Sequence, residues 1–204
     1  ILQNKQPPED RSLLFPVQDV YKIADKRVNV GRVESGVIEK GMEIKILPSG
    51  RITTINSVEK FRKDTDRAVA SECIGITTAD SVFLDRGNVV CSPGREPTLT
   101  DRISASIFWM SKRDFTKDQK LTLRCATQET PCKIASIDKR INSSTLAVVE
   151  ENAEVIKNLE VAEVLIETKR PVAIKNFSDV QELGRFVLVR DNNTCAGGII
   201  TGAS

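Results

Sequence analysis

No histidine occurs anywhere in the 204 residues, which removes the commonest general base and the commonest transition-metal ligand at once. Aromatic side chains are scarce as well: seven Phe, one Tyr and one Trp leave few platforms on which nucleic-acid bases could stack. No G-x-x-x-x-G-K-S/T loop is present, so a phosphate cradle of the P-loop type is excluded. No apolar run approaches the roughly 18 residues of a membrane-crossing helix, and no signal-peptide pattern is visible, so no membrane partner is expected. A surplus of one charge is missing too. Lys and Arg number 30 against 28 Asp and Glu, a formal +2. Divided at Pro97, the two parts carry 15 bases and 14 acids each, so neither is a basic module and nucleic acid is disfavoured as a partner.

The five cysteines, at 73, 91, 125, 132 and 195, contain no C-x-x-C pair and mostly lie in apolar runs such as NVVCS. Reduced, buried thiols in a cytoplasmic protein are expected. Cys125 and Cys132 are the pair to follow, since a hairpin turn over Gln128-Glu129-Thr130-Pro131 would set them opposite one another. Without histidine to complete a tetrad, a zinc site is weakly supported. Ser35 in ESG and the pair Ser143-Ser144 have no partner that would activate a hydroxyl, and serine between glycines is ordinarily a turn residue. Asp64 and Asp66 in RKDTDR read as a solvated corner rather than a carboxylate pair. Gly197-Gly198 in CAGGIITG follows a strand pattern with no helix behind it to receive a phosphate. The expectation is a chain with no catalytic residue, no cofactor, no metal and no nucleotide of its own.

What the chain does have is regular turn chemistry. In VNVGRVESGVIEKGMEIKILPSGR, residues 28–51, Gly31, Gly36 and Gly41 stand five apart and Pro48-Ser49-Gly50 closes the run. Between them Val28, Val30, Ile44, Ile46, Ile52, Ile55 and Val58 mark short strands, with glycine at the corners. Strands recur through VASECIGITT and DSVFLDRGNVVCS, a spacing that indicates a closed antiparallel barrel or a sandwich. Ser92-Pro93-Gly94-Arg95-Glu96-Pro97 then interrupts the pattern and is the best boundary. Beyond it alternation returns: Ile103, Ala105, Ile107 and Trp109 share a face, as do Leu121, Leu123 and Cys125, and later Phe186 and Leu188. Propensity alone would allow one helix over STLAVVEENAEVIK, 144–157, but propensity is a weak guide inside a β domain.

PVQDVYKI at 16–23, VGRVESGVIEKGMEI and DRGNVV at 85–90 resemble the second domain of translation-factor-type GTPases. In that family GRVESG is a hairpin of a β-barrel and DRGNVV a late strand leading out of it, so Gly31, Gly36, Gly41 and Gly87 would mark corners and close approaches. ISASIFWMS at 103–111, the stretch from Asn142 to Ile174, and LGRFVLVRDNNTCAGGIIT at 183–201 are similar, more loosely, to the third domain of the large GTP-hydrolysing subunit of sulfate adenylyltransferase. The resemblance implies an all-β chain of two antiparallel barrels in tandem, 1–95 and 98–204. It implies further that the family's GTPase domain, which binds GTP and Mg, would precede Ile1. Asn4-Lys5-Gln6-Pro7 has only two letters of that domain's NKxD motif, and an initial isoleucine favours a fragment over a naturally shortened homologue. The implied role is a non-catalytic one, joining the parent chain's GTPase domain to an adenylyl-transferring subunit; RNA-docking barrels of an elongation or ribosome-rescue factor are the alternative. Candidate contact residues are Arg32, Glu34, Ser35 and Gly36 in the hairpin, and Arg86, Gly87 and Asn88 near the exit of the first barrel.

Overall fold

The computed structural model describes residues 11–23, 26–60, 63–80, 82–117 and 119–203. The Asn4-Lys5-Gln6-Pro7 stretch and the side chain of Asp64 lie outside them. The chain divides between Pro97 and Thr98 into two compact units.

The first unit contains β1 (Leu14–Ile23), β2 (Lys26–Arg32), β3 (Val37–Glu39), β4 (Glu43–Leu47), β5 (Arg51–Lys60), β6 (Lys63–Asp64), β7 (Arg67–Val69), β8 (Cys73–Thr78) and β9 (Val89–Cys91). Six of these close a ring in the order β4-β9-β1-β2-β8-β5, with β5 returning to β4. β6 hangs on β5, and β3 pairs with β7 in a separate two-stranded sheet. Closure removes the unpaired edges that an open sheet would expose. The core is Phe15, Val17, Val33, Ile38, Ile44, Ile46, Ile55 and Ile76 with their neighbours; burying each such side chain contributes about 1.5–3 kcal/mol.

The second unit contains β10 (Thr98–Trp109), β11 (Phe115–Thr116), β12 (Leu121–Cys125), β13 (Gln128–Asn142), β14 (Val148–Glu151), β15 (Val155–Ile156), β16 (Glu160–Ile174), α1 (Gln181–Gly184), β17 (Arg185–Arg190) and β18 (Asn193–Ala203). Its ring runs β12-β17-β18-β10-β16-β13 and closes through β12 and β13, with β14 appended outside. Trp109 and Phe115 meet edge to face at 5.4 Å in its core, and the indole Nε1 donates to the Arg113 carbonyl at 2.9 Å. The chain is thus all-β, two closed six-stranded antiparallel barrels, apart from the single helical turn α1.

As expected inside a β domain, residues 144–157 form no helix but a turn followed by β14 and β15. Other local expectations change. GRVESG is not a hairpin, because β2 pairs with β1 and β8 while β3 pairs only with β7; the segment is a corner leading from the barrel into the small sheet. Of the expected corners and close approaches, Gly31 is a close approach: it lies inside β2, where a Cβ would stand 2.4 Å from the Pro16 carbonyl and 2.9 Å from the Phe15 ring. The turn joining β12 to β13 falls at Ala126-Thr127, so Cys125 faces Gln128 and Cys132 faces Leu121. The two thiols are therefore not cross-strand partners. Gly197 and Gly198 lie within β18, not after a strand; a Cβ on Gly198 would stand 2.6 Å from the Phe186 ring.

Candidate functional site

Both groups of candidate contact residues close on β1, one from each side. β1 pairs with β2 along one edge and with β9 along the other, placing Val17 opposite Gly31 and Phe15 opposite Val90. Just past β2 the Glu34 amide donates to the Leu14 carbonyl at 2.8 Å, and the Leu14 amide returns to the Ser35 carbonyl at 3.1 Å. Ser35 is buried, 2% exposed, and its hydroxyl donates to the Ser12 carbonyl at 2.6 Å. Gly36 sits at φ +72, with a Cβ position 2.5 Å from the Arg11 carbonyl. Ser35 and Gly36 thus seat the chain entering β1.

The second group works on the opposite edge. The Gly87 amide donates to the Val17 carbonyl at 3.1 Å, and the Asn88 carbonyl accepts from the Val17 amide at 2.8 Å. Asn88 Oδ1 accepts from the Asp85 amide at 2.9 Å, closing the tight turn in which Gly87 stands at φ +95. Arg86 Nη1 donates to the Gln18 carbonyl at 2.8 Å. Arg32 and Arg86 are the exposed members of the set; the others brace β1 through backbone or buried atoms. Such an arrangement offers cationic contacts on a fixed strand and no reacting group.

Part of the charge elsewhere is held in pairs. Glu96 in the linker accepts from Lys45 Nζ at 2.8 Å, and that bond, helped by the amides of Glu96 and Gly94, draws its carboxyl down to about 2. Burial pushes the thiols of Cys125 and Cys132 up to about 12, which keeps them protonated and poorly nucleophilic. Among the described residues no group of three or more Cys, Asp or Glu could hold a metal ion, and no helix is long and apolar enough to cross a membrane.

One constellation escaped sequence reasoning. Arg140, inside the second barrel wall, donates from Nε and Nη2 to both oxygens of Glu160 at 2.8 Å and from Nη1 to Glu150. The Arg140 guanidinium is the main reason the Glu160 carboxyl is held below the usual carboxylate range, and Glu160 in turn raises Arg140. Only the fold pairs them, since they are 20 positions apart on neighbouring strands.

Two closed antiparallel barrels in succession, the first with a glycine-cornered segment leading out to a small sheet, are the architecture of elongation-factor-type barrel modules. The family model of elongation factor Tu domain 2 matches residues 26–91, and that of the GTP-eEF1A C-terminal domain-like family matches 102–201. The chain belongs to the translation-factor-type GTPase family, of which it carries the two C-terminal barrels. It is 32% identical over 207 residues to elongation factor 1-alpha of Plasmodium falciparum, covering 98% of this chain and 47% of that one. To sulfate adenylyltransferase subunit 1 of Teredinibacter turnerae it is 30% identical over 176 residues, covering 86% and 37%. The crystal structure of Sup35 complexed with GDP superposes with a TM-score of 0.87 at 18% identity, over 96% of this chain and 48% of that one. The chain spans about half the length of elongation factor 1-alpha, 47% in the Plasmodium case.

Proposed function

We propose that this chain is the non-catalytic docking module of a sulfate-assimilation GTPase in the cytoplasm, holding the GTPase domain of its parent protein and docking an adenylyl-transferring subunit. The observation that supports it is the disposition of charge. On the first barrel Lys45 pairs with Glu96, Arg67 with Glu39 and Lys40 with Asp66; on the second Arg124 pairs with Glu129, Lys133 with Glu167 and Lys139 with Glu163. Binding nucleic acid through counterion release needs several cations gathered on one face, whereas mixed charge around apolar patches suits a protein partner. Sulfate adenylyltransferase subunit 1 is a relative whose name carries that chemistry. GTP and Mg belong to the GTPase domain of the parent protein, whose movement reaches the partner through the barrels as near-rigid bodies. Arg32 and Arg86, with Glu34 and the backbone shaped by Ser35, Gly36, Gly87 and Asn88, are the contact residues of this reading.

A second reading, RNA-docking barrels of an elongation or ribosome-rescue factor, is favoured by the elongation factor 1-alpha relatives. Filter binding of tRNA at about 150 mM salt, where exposed charges are screened beyond about 8 Å, separates the two. The expected result is no sub-micromolar tRNA affinity, together with capture of a purified adenylyl-transferring subunit. Tight tRNA binding with no such capture would replace the first reading by the second. Calorimetry of the chain with GTP and Mg is expected to register no binding.

A further inference from the structure

We infer that one end of the first barrel is a socket for the carboxyl-terminal residue of a polypeptide, its carboxylate received by Lys26 and Arg27 and its peptide N–H by Asn29. This goes beyond the docking reading above and does not depend on it. β2, β8 and β5 run side by side in the ring. Where β8 gives way to residues 79–83 a cavity of about 290 Å³ opens, and its lining includes Lys26, Arg27, Asn29, Asn56, Asp80 and Phe83. Asn29 stands opposite Ile76 of the core, so its side chain is directed to the inner side of the wall.

That side chain carries an unmet acceptor. Asn29 is 2% exposed, and its Nδ2 donates to the Ile76 carbonyl at 3.3 Å. A carbonyl only accepts, which fixes the orientation of the amide and leaves Oδ1 without a partner among the described residues. A buried acceptor left unmet is costly, and the cavity beside it is where a donor can come from. Its cover is light. Arg27, Asn56 and Phe83 are exposed, and Arg27 lies over the Phe83 ring, 4.3 Å from its centroid, with no carboxylate partner among the described residues. An entering group reaches Oδ1 by parting that contact, which frees the guanidinium for a charge-assisted bond.

Charge and donor together select the occupant. Two cations, Lys26 and Arg27, against one carboxylate, Asp80, leave one net positive charge on the lining, and Asp80 already accepts from the Thr53 hydroxyl at 3.1 Å. Arg27 also borders a neighbouring cavity, whose other charges, Asp19 and Asp85 against Lys22 and Arg86, cancel. One surplus charge matches a carboxylate, whereas a dianionic phosphate monoester would face Asp80 with a charge to spare. Sulfate has no hydrogen to donate and would leave Oδ1 unmet. The last residue of a polypeptide supplies both groups, an N–H and a carboxylate on the same Cα, and Val82 and Phe83 offer apolar surface to its side chain. The cavity is at the small end of ligand sites, which run from about 300 Å³ upward, so it suits a terminal residue rather than a chain segment.

The test titrates N-acetylglycylleucine into the isotope-labelled chain and follows its amide resonances. Saturable shifts are expected at residues 26–29, 77–80 and 83 and at the Asn29 side-chain amide, with a dissociation constant of about 1 mM or tighter. Blocking the carboxylate as the carboxyl-terminal amide is expected to weaken binding about tenfold, and so are Arg27→Gln and Asn29→Ala. Arg27 is exposed, so Arg27→Gln keeps the fold and decides the matter if Asn29→Ala does not fold. An absence of saturable shifts, which would leave water as the occupant, overturns the inference, as does equal binding of the peptide and its amide. Tighter binding of free leucine, sulfate or adenosine monophosphate than of the peptide would assign the cavity to a free amino acid, an inorganic anion or a nucleotide and overturn it equally.

Discussion

A single methyl group distinguishes what two of the turn glycines do. Gly36 and Gly41 both stand at positive φ, +72 and +82, but only Gly36 is hemmed in, its Cβ position 2.5 Å from the Arg11 carbonyl and 2.7 Å from the Leu13 amide. Nothing lies within 4 Å of the Cβ position at Gly41. Gly41→Ala therefore meets the left-handed backbone penalty alone, about 1–2 kcal/mol. Gly36→Ala adds displacement of the segment entering β1 and is expected to cost about 3 kcal/mol or more. Urea unfolding of the two variants, followed by far-UV circular dichroism, checks the difference; equal costs would mean that the contact with Arg11 and Leu13 carries no weight.

At the level of elements, the Arg140 cluster ties β13 to β14 and β16. Arg140 is buried, with 7% of its side chain exposed, against 15% for Glu160 and 50% for Glu150, so Glu160 is the partner it depends on. The Glu160 carboxyl titrates lower in the folded barrel than in the unfolded chain, by its bonds to Arg140 and to the Lys157 amide. The stabilisation is then complete above the unfolded carboxylate value of about 4.3 and is lost as pH falls through the lower folded value. The second barrel should lose stability from about pH 4 downward, and Glu160→Gln should flatten that dependence. At neutral pH the same change leaves a buried guanidinium half-paired, a cost of about 2–3 kcal/mol. Urea midpoints between pH 3 and 7, read by tryptophan fluorescence, measure both effects.

For the whole molecule, a convenient asymmetry separates the barrels: Trp109, the sole tryptophan, is fully buried in the second. Tryptophan emission thus reports that barrel alone. Each unit has its own core and its own closed ring. Gly36→Ala should accordingly leave the fluorescence midpoint unchanged while splitting the circular dichroism transition in two. Limited proteolysis is expected to cut within residues 92–97 and leave two resistant pieces. A single coincident transition in the variant would indicate barrels that unfold as one.

Strand identity was written locally, because a half-buried strand alternates with period two and the apolar spacing carries that period in β4, β10 and β12, whereas Ile52, Ile55 and Val58 of β5 stand three apart across a register shift. Composition alone likewise removed histidine chemistry. Other features needed the closed ring. Register shifts in β13 between Ile134 and Ser136 and between Ile137 and Lys139 change which residues face inward, burying Ile137 against the simple alternation set by Cys132 and Ile134 before the second shift returns the strand to it at Arg140. The turn at Ala126-Thr127 left Cys125 and Cys132 out of register, which the turn-prone residues at 128–131 did not foretell. Whether Gly31 was a corner or a close approach depended on Phe15 lying across it, and whether the Glu34 backbone and Arg86 served one strand depended on β1 running between β2 and β9. Periodicity is a property of neighbours along the chain, whereas register, bulges and convergence are settled by partners brought together on closure.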